Sequence, residues 1–189
     1  MTTISATRTA GRPLLDSRVL VRTYAATFVV NLPLLALLLV PQLLRSRAGS
    51  EALLMVGSFL LLVLVTSAVV IAPEVSARVA PAGDHWRPGR ARSRTRAMLR
   101  SDRRASLRSL AEFVVLYIAA QGVGGVFAWM MPYVWANPAH EADPAQSAWV
   151  IDYPNYATQA AAIYLCVCFA VAWYATRVRA RSARLEAAA

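Results

Sequence analysis

Lysine is missing from this chain: all 20 basic residues are arginine, set against 10 acids in 189 residues. An arginine-only basic set reads as the composition of a GC-rich bacterial genome and carries no functional message of its own. Cysteine is almost missing too. Cys166 and Cys168 stand two apart in an apolar run, where helical geometry points them about 200° away from each other, so no disulfide framework forms within the chain. There are only two histidines, His85 and His140, and both fall in connecting segments. That removes the facing intramembrane imidazoles a b-type haem needs, and the lack of CxxCH removes a c-type one. No cysteine cluster and no strand–glycine-loop–helix pattern points to an iron–sulfur or dinucleotide cofactor, so none is expected to be bound by this chain alone.

The most informative scarcity is that of charge inside four long stretches. The chain is 58% hydrophobic, with a mean hydropathy of +0.45, too apolar for an ordinary soluble domain and typical of a multi-pass membrane protein. Residues 23–44, 53–73 and 158–176 carry no charge at all, and 109–131 carries only Glu112. Each run is long enough to cross a hydrocarbon layer of roughly 30 Å. The polar segment 1–22 lacks the small-residue cleavage pattern of a signal peptide, so the first run is expected to be a retained span.

Orientation follows from arginine in the connections, because positive loops are held on the cytoplasmic side during insertion. Segment 1–22 contributes Arg8, Arg12, Arg18 and Arg22. Segment 74–108 contributes Arg78, Arg87, Arg90, Arg92, Arg94, Arg96, Arg100, Arg103, Arg104 and Arg108, and the tail 177–189 four more. The connection 132–157 has none and carries Glu141, Asp143 and Asp152 with Tyr133, Trp135, Trp149, Tyr153 and Tyr156. The predicted fold is therefore an all-α integral membrane protein of four spans, up-down-up-down, with both ends in the cytoplasm. A long arginine-rich cytoplasmic loop joins spans two and three, and an aromatic, acidic loop lies outside. Arg45 and Arg47 fall on the disfavoured side. Prolines and glycines make the first half of the basic loop irregular, and a helix from about Thr95 is expected to run unbroken into the third span.

Few residues offer chemistry. Glu112 sits one turn inside its span, four residues after Arg108 on the same helical face, a spacing that suits an ion pair. Asn31 and Gln121, with Ser58, Thr66 and Ser67, are the deep polar positions, and an amide in lipid needs a partner from a neighbouring helix. Pro33 predicts a kink in the first span. Gly122, Gly124 and Gly125 lie inside an apolar helix, where small residues admit a close helix neighbour. In the outer loop His140, Glu141 and Asp143 offer nitrogen and oxygen donors, a weak metal pattern with no recognisable spacing. Arg87, Arg90, Arg92, Arg94, Arg96, Arg100, Arg103, Arg104 and Arg108 form a basic surface suited to anionic phospholipid or to an acidic partner. Nucleic acid is not expected, since it would compete with the membrane for that surface.

With no convergent titratable set, the pattern predicts a non-catalytic accessory subunit of a larger complex in a bacterial inner membrane, packed against other subunits and anionic lipid. A small oligomeric transporter or channel is the alternative, and a membrane enzyme with a metal in the outer loop the second.

Overall fold

The computed structural model describes residues 16–187 apart from positions 46, 48, 83 and 85. Arg8, Arg12 and His85 lie outside the described residues. In chain order the elements are α1 (Ser17–Val30), α2 (Leu32–Leu38), α3 (Pro41–Leu44), α4 (Glu51–Val79), α5 (Ala91–Ser101), α6 (Arg103–Met130), β1 (Val134–Ala136), α7 (Ala139–Ala142), β2 (Trp149–Ile151) and α8 (Tyr153–Ala187). Three of these, α4, α6 and α8, are long and apolar enough to cross a membrane, and α1 with α2 makes a fourth if the two count as one span bent by 57°. The chain is an all-α, multi-pass membrane protein, with one short β ribbon at the end where the aromatic residues collect.

The last helix is the hub. α8 packs against α1, α2, α4, α5 and α6, and 61% of its most apolar stretch is buried, against 11% for α4 and 17% for α6. Burial runs opposite to hydropathy, which is 2.7 in α4 and 1.6 in α8. That inversion is what lipid imposes: the most apolar helix can face hydrocarbon, while the helix carrying tyrosines, glutamine and threonine must find partners inside. Small residues of α8 at Ala160, Ala170, Ala172 and Ala175 are covered by its neighbours and let their backbones come close.

The first apolar run does not form one kinked helix but three pieces. Pro33 lies in the first turn of α2 and Pro41 in the first turn of α3, positions where the missing N–H costs nothing and the fixed φ favours a helix start. Each new start strands the carbonyls of the preceding turn, and in a membrane water cannot satisfy them. Tyrosines of α8 do so instead. Tyr164 Oη donates to the Phe28 carbonyl, Tyr156 Oη to Leu38 at 2.6 Å and Tyr153 Oη to Leu39 at 2.9 Å. Tyr156→Phe and Tyr164→Phe should each lower stability by about 1 kcal/mol in a detergent unfolding titration. The exposed Tyr153 should matter less, and equal losses for all three would sink this account.

α4 continues through Pro73 to Val79, six residues past the expected end of the second span at 73. The basic connection then folds back tightly. Ala82 and Trp86 exchange backbone hydrogen bonds at 3.1 Å, and the fully buried Trp86 plugs the turn against the bundle. Gly89, at φ +83°, presents its N–H to Glu74 Oε1 at 2.7 Å, a left-handed conformation that suits glycine. The helix expected to run unbroken from about Thr95 into the third span is instead interrupted at Asp102. That residue ends α5 and caps α6, its Oδ1 accepting from the Ala105 N–H at 2.9 Å.

At the aromatic end β1 and β2 pair antiparallel, with Trp135 opposite Val150. This ribbon accounts for Arg45 and Arg47, the two arginines at odds with the expected orientation. The Arg45 guanidinium lies over the rings of Tyr133 at 5.6 Å and Tyr156 at 5.8 Å, and that of Arg47 over Trp149 at 4.9 Å. Both cations are held by ring faces, with no carboxylate paired to either among the described residues.

Candidate functional site at the basic end of the bundle

α5 carries a basic outer face and a narrow buried one. Ala91, Thr95 and Met98 face the bundle at helical spacing, while Arg92, Arg96 and Arg100 point away. α5 therefore lies as an amphipathic helix between the ends of α6 and α8.

Where α6 and α8 meet, the charges are specifically arranged. Arg177 Nε lies 2.9 Å from Glu112 Oε2, to which Trp173 Nε1 also donates at 3.3 Å. The Arg177 guanidinium sits over the Trp173 ring at 5.0 Å. Arg108 Nε reaches Glu112 Oε1 at only 3.9 Å. The expected Arg108 contact is present, yet the stronger partner comes from α8. Arg177 is not visible as a partner in the sequence, because it lies 65 residues from Glu112 and meets it only when α8 packs on α6. The only signal was a lone acid and the first arginine past the fourth run at matching depth.

One turn further out, Arg181 Nη1 donates to the Ala105 carbonyl and to Ser109 Oγ, clasping α8 to the start of α6. Beside it opens a cavity of about 450 Å³ whose walls include Arg104, Arg108, Arg181 and Arg184, with Asp102 as its one carboxylate. Arg104 and Arg184 make no ion pair with any described residue. Two further hollows adjoin it. One, of about 480 Å³, shares Arg108 and runs past the Glu112–Arg177 pair along Ala111, Val115, Leu116 and Trp173. The other, of about 310 Å³, shares Ser106 and is lined by Leu99, Leu107 and Leu110.

Of the nine arginines read as a basic surface, only Arg104 and Arg108 line this cavity; Arg103 borders the smaller hollow. Arg87 instead bridges to Asp84 at 2.8 Å, and Arg90, Arg92, Arg94, Arg96 and Arg100 are exposed around α5. Arg181 and Arg184, the other half of the cavity, come from the tail.

The intramembrane polar residues divide. Asn31 is buried and its side chain meets the Cys168 thiol. It continues a stripe at four-residue spacing through Thr27 and Thr23, all turned inward. Thr23 Oγ1 donates to Ser76 Oγ at 3.4 Å, and Thr27 Oγ1 to the Tyr24 carbonyl at 2.8 Å. The i, i+4 spacing of Thr23, Thr27 and Asn31 was legible, but Thr23 lay on the predicted boundary and the stripe was read as one isolated amide.

Gly124 faces α8, where its carbonyl accepts from Gln159 Nε2 at 2.7 Å and a Cβ would strike the Ile163 side chain. Gln121, Gly122 and Gly125 are exposed, with nothing within 4 Å of where a Cβ would stand on either glycine.

Of the three donors in the connection 132–157, His140 and Asp143 are engaged locally. His140 Nδ1 lies 2.8 Å from the Gln146 carbonyl oxygen, and Asp143 Oδ1 accepts from the Ala145 N–H at 3.1 Å. Among the described residues no group of three His, Cys, Asp or Glu side chains is placed to hold a metal ion. No family model, no curated protein and no solved structure matches this chain.

Proposed function

We propose that this chain is a non-catalytic accessory subunit of a larger bacterial inner-membrane complex, inserted as four spans with its basic end in the cytoplasm and packed against other subunits and anionic lipid. The observation that supports this most directly is the outward face of α6. Gln121 stands in the middle of the apolar run 109–131, and among the described residues it has no hydrogen-bond partner. Gly122 and Gly125 beside it leave an open groove along the helix. An amide at that depth in lipid requires a partner, and two glycines beside it are the form a helix neighbour packs into. The sparse coverage of α4 and α6 leaves ample apolar surface for such a neighbour.

Purification from the native membrane in mild detergent, with mass spectrometry of what stays bound and a visible spectrum, tests the reading. Stoichiometric unlike subunits are expected, and Gln121→Leu should weaken their retention about fivefold, the equivalent of about 1 kcal/mol. A colourless homo-oligomer indifferent to Gln121→Leu would overturn it. That result would favour a small transporter, for which the buried stripe of Thr23, Thr27 and Asn31 is the supporting feature.

A further inference from the structure

We infer that the arginine-walled cavity between α5, α6 and α8 is a headgroup site for an anionic glycerophospholipid, whose acyl chains lie in the two apolar hollows that adjoin it. The inference rests on the lipid-contact part of the function proposed above and narrows it from a basic surface to one site.

Charge carries the first step. Four guanidiniums face the cavity and one carboxylate, Asp102, answers them, and that carboxylate already accepts a hydrogen bond from the Ala105 N–H. Arg181 is fixed by its bonds to Ala105 and Ser109, so its charge stays in the wall whatever occupies the space. Arg108 is only loosely paired, because Glu112 is taken by Arg177. Arg104 and Arg184 have no counter-ion among the described residues. A phosphate diester bearing one negative charge and several acceptor oxygens complements such a set, and planar guanidiniums suit its oxygens.

Shape carries the second step. A free phosphate would need the cavity alone, whereas this cavity shares Arg108 with a hollow that passes the Glu112–Arg177 pair and continues along α6 by Val115 and Leu116. It shares Ser106 with another, bordered by Arg103 and lined by Leu107 and Leu110, both exposed. The two hollows flank α6 on different faces, so a polar head at the start of that helix with a largely apolar hollow on either side has the form of a two-chain amphiphile straddling it. The volumes, about 480 and 310 Å³, hold the upper parts of acyl chains.

The full chain, stripped of lipid in detergent, would be titrated with phosphatidylglycerol or phosphatidylcholine and read by native mass spectrometry. Phosphatidylglycerol is expected to bind at least about tenfold more tightly. R104Q/R184Q should remove that preference, while R92Q/R96Q, on the outer face of α5, keeps it. Independently, phosphatidylglycerol with brominated chains should quench the part of the fluorescence that Trp173→Phe removes. Equal loss in both arginine pairs would overturn the cavity site while leaving a diffuse anionic-lipid contact standing. Displacement of phosphatidylglycerol by excess inorganic phosphate would overturn the lipid in favour of a small-anion site, and unquenched Trp173 would overturn the placement of the chains. No preference for phosphatidylglycerol in any form of the protein would overturn both this inference and the lipid-contact reading beneath it.

Discussion

Replacing Gly57 with alanine is expected to lower unfolding stability by about 2–3 kcal/mol. Gly57 is buried on α4 beneath α3, and a Cβ there would fall on the backbone carbonyl of Leu43. A backbone atom cannot swing aside as a side-chain end can, so α3 as a whole must lift. Gly49 makes the same close approach to the Gln42 carbonyl, which means the short helix is seated on two glycines. Lifting it also moves Arg45, whose guanidinium lies over Tyr133 and Tyr156, so the ribbon end should loosen with it. An SDS unfolding titration of Gly57→Ala beside Gly122→Ala separates the cause. Gly122 has open space around it, and alanine there should leave the isolated chain as stable or slightly more so, by the helix propensity alone. If Gly57→Ala is as neutral as Gly122→Ala, α3 does not rest on α4 in this way.

The second large effect is expected at Glu112. Glu112→Leu removes the acceptor of Arg177 and Trp173 and the counter-charge of Arg108, leaving two cations at the membrane edge with nothing opposite. Breaking a fully buried ion pair from one side costs about 3–5 kcal/mol. Glu112 and Arg177 retain 25% and 35% of their side-chain exposure, which reduces the expectation to about 2 kcal/mol. The double variant E112L/R177M should recover more than half of that loss, because neither charge is then left unpaired. Additive losses in the cycle would show that the pair is not coupled.

The apolar cores of α4, α6 and α8 were legible in the sequence because hydrocarbon selects for composition, and composition is what a run of uncharged residues displays. Their ends were not, because nothing in composition distinguishes a helix that stops at the membrane surface from one that continues past it. α4 passes Pro73 and α8 runs on past Arg177 for the same reason: the helix is held there by neighbours rather than by lipid. Asp102 was a readable signal that went unread, a capping residue three positions before the amide it accepts from. At the basic end, Glu112 with Arg108 followed from helical spacing alone. Arg177, Arg181 and Arg184 could not, since they reach that place only through the antiparallel packing of α6 on α8. Tyr153 and Tyr156 belonged to the aromatic connection 132–157, whereas Tyr164 lies inside the fourth apolar run and serves the broken first segment, a role visible only once Pro33 is seen to start a helix rather than bend one.

Because α8 follows every other described element along the chain, the described bundle gains its central helix after the rest. During synthesis α1, α2, α4 and α6 enter the membrane before any of them has its principal neighbour, and the carbonyls of Phe28, Leu38 and Leu39 wait without their tyrosine donors. α4, the most apolar of them, can wait in lipid without harm. The broken first segment, with its inward threonines and Asn31, is what the arrival of residues 153–187 rescues, so a chain cut before residue 153 should be weakest between residues 17 and 44.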